Sequence, residues 1–240
     1  MRALALALVL AAPVLAQDVD PVVHLPNAVA PTPASVRMAV PDGPSPLAEI
    51  PFRSVGPTVM SGRVVAVEGK PGDPSTMVVA YASGGVWTTT TGGASFRPLF
   101  DDMPTITVGA LAVDWRDPEG DGPTLWVGTG EANSSRSSYA GTGVYRSTDG
   151  GDSWAHLGLA ETHHIGKILI GDDPGHAVVA AVGHLYSPNP ERGVYRTTDG
   201  GASWTHALAL DTDTGAIDLA RGADGRLYAA TWTRSLRAWD

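Results

Sequence analysis

Residues 143–154 read GVYRSTDGGDSW, residues 193–204 read GVYRTTDGGASW and residues 85–96 read GVWTTTTGGASF; the three stretches align without a gap. Their starts lie 58 and 50 residues apart, and each is preceded by a short β-rich run at 76–82, 124–130 and 177–182. A fourth run of that kind, residues 227–232, has no glycine-rich turn after it. Each unit is therefore expected to hold about four short strands in roughly 50 residues, the size of a propeller blade. One such sheet cannot bury both of its faces, so the units must stack on one another. The fold class that follows is all-β: a β-propeller of four-stranded blades, about four of them, at 51–104, 105–160, 161–210 and, in part, 211–240.

The turn explains its own residue types. An aspartate at the third position of Ser/Thr-x-Asp-x-Gly-x-Ser-Trp accepts hydrogen bonds from the N–H groups of the turn it sits in, glycines take the positive φ, and the tryptophan is expected to plug the gap beneath the hairpin. Ser147, Asp149, Gly151 and Trp154 form one full copy, and Thr197, Asp199, Gly201 and Trp204 another. The first copy has Thr91 and Phe96 at the aspartate and tryptophan positions, so its turn is expected to be held less tightly. This pattern resembles the Asp box of bacterial BNR-type β-propellers. Residues 52–57 (FRSVGP), 60–63 (MSGR), 100–102 (FDD), 127–133 (VGTGEAN) and 191–195 (ERGVY) further resemble the start of large secreted bacterial proteins described as sortilin N-terminal-like (VPS10-like) or BNR-repeat glycosyl hydrolases. That resemblance implies a fold more than a reaction. It also implies an amino-terminal piece of a longer propeller chain, whose remaining blades would be this segment's first partners.

Composition narrows the function classes. The formal charge is −9, with 25 acidic and 16 basic residues, so there is no basic excess to neutralise nucleic-acid phosphates. With no cysteine, the chain has neither disulfides nor thiolate chemistry. Its 29 glycines and 19 prolines suit turns and short strands. Residues 1–16 combine Arg2, an apolar run over 3–15 and a small residue, Ala16, before Gln17, which reads as a secretory signal peptide. The run is shorter than the roughly 20 residues a membrane span requires. A proline-rich leader at 17–50 then joins it to the domain at 51–240. The expected location is periplasmic or extracellular.

Candidate site residues cluster in loops. Residues 131–143 form a long polar insertion between two strands of one blade, carrying Glu131, Asn133, Arg136 and Tyr139; the matching loop in the next blade carries His184, Tyr186, Asn189, Glu191 and Arg192. Following equivalent strands, the two loops should emerge on one rim, where these side chains would suit a carbohydrate or a peptide. The competing reading has Glu131 and Arg192 capping strand ends and pairing with neighbouring blades. Arg63 opens the first blade, either pointing into the central channel or tying carbonyls together. Asp101, Asp102, Glu131, Glu161 and Glu191 are acids by residue type for a glycosidase, which needs two carboxylates about 5 to 9.5 Å apart.

Several motifs fail. The arginine cluster of a sialidase and its Arg-Ile-Pro opening are not found, and the box aspartates are structural. Residues 211–222 lack the acidic twelfth position of a calcium loop, and Gly166-Lys167 lacks the P-loop glycines. Adjacent strand residues point to opposite faces, so His163 and His164 make a poor metal pair, and His164 is expected to be a satisfied inter-blade histidine. No metal and no cofactor is expected. The reading is an exported propeller module that binds glycan or protein through loops on one rim; the rivals are a glycoside hydrolase with its acidic pair partly outside this chain, and a scaffold that binds no small ligand.

Overall fold

The computed structural model describes residues 62–116, 121–133, 135 and 138–237. The signal peptide, the leader, residues 52–57, Met60, Ser61 and Arg136 lie outside the described residues. The described residues form four antiparallel meanders. The first sheet runs β1 (Val64–Lys70), β2 (Asp73–Tyr81), β3 (Gly85–Thr89) and β4 (Arg97–Pro98). The second runs β5 (Val108–Asp114), β6 (Thr124–Thr129), β7 (Val144–Ser147) and β8 (Ala155–His156); the third, β9 (Ile165–Ile170), β10 (Ala177–Ala181), β11 (Gly193–Thr197) and β12 (Thr205–Leu208). A last pair, β13 (Thr214–Arg221) and β14 (Leu227–Thr233), makes a two-stranded sheet. The only helix among the described residues is a 3₁₀ turn at Ala160–Thr162, and no described helix is long and apolar enough to cross a membrane. This is a partial β-propeller, with three full blades and two strands of a fourth.

The first strands of the four sheets lie side by side and innermost. In each of them the ladder to the second strand slips by one residue at the same place, which is Val65, Gly109, Gly166 and Ile217 in turn. Such bulges bend and twist a strand, here at the point where neighbouring blades come closest. The approach is close enough that a Cβ on Gly109 would lie 2.1 Å from the Ile165 carbonyl oxygen, and one on Gly166 2.1 Å from that of Ile217. Glycine at the two central joints is thus required by the neighbouring blade's backbone.

The second strands of the two middle blades are buried on both faces, since each of these blades lies between two others: Leu125, Trp126 and Val127 of β6 and Val178, Val179 and Ala180 of β10 all sit in the inter-blade core. Fully buried strands carry continuous apolar runs, which is why 124–130 and 177–182 stood out in the sequence.

The repeated turns close as their residue types require. Asp149 accepts hydrogen bonds from Ser153 N (2.9 Å), Asp152 N (3.0 Å), Ser147 Oγ (2.7 Å) and Ser153 Oγ (2.5 Å), while Gly151 N donates to Ser147 Oγ (2.8 Å). Asp199 repeats this with Ser203 N (2.9 Å), Ser203 Oγ (2.6 Å) and Thr197 Oγ1 (2.7 Å). In the first copy Thr91 Oγ1 accepts from Ser95 N at 2.9 Å and Thr89 Oγ1 from Gly93 N at 3.1 Å, so the frame survives without the carboxylate.

The tryptophans do something other than plug their own hairpins. Trp154 Nε1 donates to the Leu99 carbonyl (2.7 Å) and Trp204 Nε1 to the Leu157 carbonyl (2.7 Å), each one blade back and each three residues beyond that blade's own aromatic at the turn. Gly151 and Gly201, at φ +94° and +92°, rest on the side chains of the same leucines, where a Cβ would lie 2.9 and 2.5 Å from a methyl carbon. Turn and tryptophan together latch one blade to its predecessor.

Burial raises the Asp149 carboxyl, but the hydrogen bonds from Ser153, Ser147 and Asp152 outweigh it and hold the group below the ordinary carboxylate range. A depressed folded value means that the stabilisation is complete above the unfolded pKa, about 3.9, and is lost as pH falls through the lower folded value. Asp149→Asn is therefore expected to be less stable than the parent at pH 7, with the two curves of urea midpoint against pH converging below about pH 4. A gap that stays constant down to pH 2.5 would remove the carboxylate from the account.

Candidate functional site

In an up-and-down blade, the loops after second strands and the connectors after fourth strands share one face. Hydrogen bonds tie them together here: Gly130 N donates to the Thr107 carbonyl, Gly141 N to that of His163, and Asn189 N to that of Thr212. The connectors 99–107, 157–164 and 209–213 thus lie with the loops 130–143 and 182–192. Asp101, Asp102, Glu131, Asn133, Tyr139, Tyr186, Glu191 and Arg192 all belong to this face, and Arg63 sits at its edge just before β1.

At the axis, the four first strands line one side of an open channel of about 380 Å³, with Ala66, Ala110, Lys167 and Asp218 on its wall and Glu131 and Asn133 at its mouth. Glu131 is 2% exposed and its carboxylate is clamped: Arg63, from the preceding blade, pairs with Oε1, and Ser138 Oγ donates to Oε2 at 2.9 Å. The Glu131 main-chain carbonyl accepts from His164 Nδ1 at 2.9 Å. Burial pushes the His164 imidazole down to about 4, so it is neutral at pH 7 and serves as the inter-blade donor expected of it. Arg63 meets a carboxylate, not the carbonyls of one sequence reading. Half of its side chain stays open to solvent, so a cation remains accessible at the rim of the channel.

On β1, burial raises the Glu68 carboxyl while the Lys167 ammonium lowers it, and burial wins. Asp101, in the β4–β5 connector, is raised by partial burial and then by its neighbour Asp102; both are exposed. Asn133 is exposed. Tyr139 and Tyr186 are 63% and 54% exposed, among the most exposed large side chains described, and each rises from the loop after a second strand.

Arg192 is elsewhere. It is 0% exposed, with Nη1 donating to the Val182 carbonyl (2.7 Å) and Nη2 to those of His184, Ser187 (3.3 Å) and Arg234 (3.3 Å). A folded chain cannot offer this guanidinium to a ligand, so placing it on the binding surface is corrected: it ties carbonyls of its own loop to the segment after β14. Glu191, half-buried, accepts from Asn189 Nδ2 at 2.5 Å. Sequence reasoning missed the channel residues Lys167 and Asp218, because nothing in an isolated strand marks which edge faces an axis.

No protein-family profile and no curated protein sequence matches the chain. Among solved structures it is similar to an ancestral GH74 enzyme (20% identity, TM-score 0.53), covering 73% of this chain and 22% of that one. It also aligns with YCF48 bound to a D1 peptide (17%, TM-score 0.47; 72% of this chain, 51% of that one) and with the GH74 enzyme of Niastella koreensis (14%, TM-score 0.46; 65% and 25%). The chain spans between about a fifth and a half of these proteins' lengths. The first likeness shows the β-propeller fold.

Proposed function

We propose that this is an exported Asp-box propeller module, akin to the sortilin-like BNR-repeat proteins, that binds an extended carbohydrate across its loop-bearing face, with further blades of the same propeller completing the ring. The observation that carries the reading is the exposure of Tyr139 and Tyr186 on equivalent loops of adjacent blades, beside a channel mouth holding Arg63, Glu131 and Asn133. Tyrosine offers a flat apolar surface with a hydroxyl at its tip, which matches the mixed faces of a sugar ring, and its exposure is otherwise unfavourable. The polar groups at the channel mouth would fix the orientation of one residue of the glycan.

The experiment is a glycan array read beside a panel of glycosidase substrates. Tyr139→Ala and Tyr186→Ala should each weaken glycan binding about five- to tenfold, corresponding to about 1 to 1.5 kcal/mol of ring contact, and leave the melting temperature unchanged. Binding that ignores both tyrosines would return them to ordinary surface residues. The hydrolase reading would give a general acid's role to a carboxyl such as Glu68, which burial raises against the pull of Lys167; sugar cleavage that Glu68→Gln abolishes would favour it over simple binding. Capture of peptides and no glycan would point instead to a protein ligand.

A further inference from the structure

We propose that Glu161, His163 and His184 form a transition-metal site at the joint of the second and third blades, with Zn²⁺ the cation this donor set fits. The inference stands apart from the carbohydrate reading. One oxygen of Glu161 and one nitrogen of each histidine lie within 4.8 Å of one another. Two imidazoles and a carboxylate are a recurrent zinc set, with bonds of about 2.0–2.1 Å that place tetrahedral donors about 3.4 Å apart. Closure to that geometry takes side-chain rotation: exposed Glu161 turns in, and one imidazole leaves the stack so that both ring lone pairs meet the cation.

Independent features prepare the donors. His184 Nδ1 is 2.9 Å from Ser187 Oγ; donating there fixes the tautomer whose lone pair is on Nε2, as the outer partner of a metal-bound histidine does. Nε2 is buried and has no hydrogen-bond partner among the described residues. The His163 and His184 rings stack with centroids 3.7 Å apart and 23° between planes, which brings imidazoles from two separate chain segments together. Among the described residues His163 is one of two non-glycine residues with positive φ, at +54°, the other being Leu159 at +59° just ahead of the same 3₁₀ turn. Its carbonyl is held by Gly141 N at 2.7 Å. Such strain persists only where the surroundings impose it and gathers at functional sites. Buried Asn189 joins the two chain segments, donating to the Glu161 carbonyl (3.2 Å) and to the Glu191 carboxylate (2.5 Å).

Simple packing of two histidines would account for the stacking. It leaves unexplained a buried nitrogen with no partner among the described residues and a strained backbone at the second ring. Three protein donors leave one position for water or for an oxygen of a bound ligand. Sequence reasoning set His163 aside because it was weighed against its neighbour His164, whereas its partner comes from a loop 21 residues on.

The test is a Zn²⁺ titration of the chain, free of any histidine tag, in competition with a chromophoric chelator, with Co²⁺ absorption as a second readout. Saturable one-to-one binding and a metal-dependent rise in melting temperature are expected. His163→Gly, which suits the backbone angle, and His184→Gln should each keep the metal-free melting temperature and weaken binding more than about tenfold; Ser187→Ala should weaken it about tenfold. No saturable binding, or binding retained in either histidine variant, overturns the site.

Discussion

Trp204→Ala is expected to destabilise the chain by about 3–5 kcal/mol, read as a lowered urea midpoint. Trp204 is buried, and three contacts are lost together: the indole N–H to the Leu157 carbonyl (2.7 Å), the edge-on contact with Trp126 at 6.5 Å between ring centroids, and the wall it forms in the core cluster shared by the second and third blades. The cavity would open between two sheets whose positions are fixed by their inner strands, so collapse cannot fill it. Trp154→Ala should cost less, since Trp154 is only half-buried, although it makes the same bond to Leu99 and lies 4.9 Å from Phe100. Trp204→Phe separates the terms: the ring remains and the Leu157 carbonyl loses its donor, for about 1–3 kcal/mol. The first repeat carries this very change at Phe96. A loss under about 1 kcal/mol for Trp204→Ala would show that blades are held by the inner strands alone.

This latch marks how far the sequence could be read. The repeat made the blades visible because identical turns need identical residues: an acceptor at Asp149 and Asp199, positive φ at Gly151 and Gly201. That information is local. Where the tryptophan goes is not, because Leu99 and Leu157 lie 55 and 47 residues away and carry no mark beyond being apolar. The same limit governs the face bearing the candidate site. Topology put the two long loops on one rim, since both follow second strands, yet it could not say which of their polar side chains turn inward. Glu131 and Arg192 look alike as charges in polar loops. One meets the charge of Arg63 across a blade boundary at the channel mouth, and the other is swallowed by its own loop. Two tyrosines in the same loops stay outside, and no property of a single position distinguishes these outcomes.

Arg192→Ala is expected to lower stability by about 3–5 kcal/mol, because the buried carbonyls that its two terminal nitrogens reach lose their donor together. The sequence left Arg192 open to a ligand or to a structural role, and its burial favours the structural one. Burial lowers the guanidinium's pKa, opposed by Asp213 and Asp211, and the group is retained in its charged form by the carbonyls of Val182, His184, Ser187 and Arg234. Removing it strands four acceptors, three of them in the loop that presents Tyr186 and His184 and one in the segment after β14. Lysine should not rescue the loss, because a single ammonium cannot span carbonyls that a planar fork reaches from two nitrogens. Denaturation of the alanine and lysine variants should therefore give similar, lowered midpoints, with faster hydrogen exchange over 182–192 and 234–236. An unchanged midpoint in the alanine variant would mean that the loop holds itself and that Arg192 is available to a ligand after all.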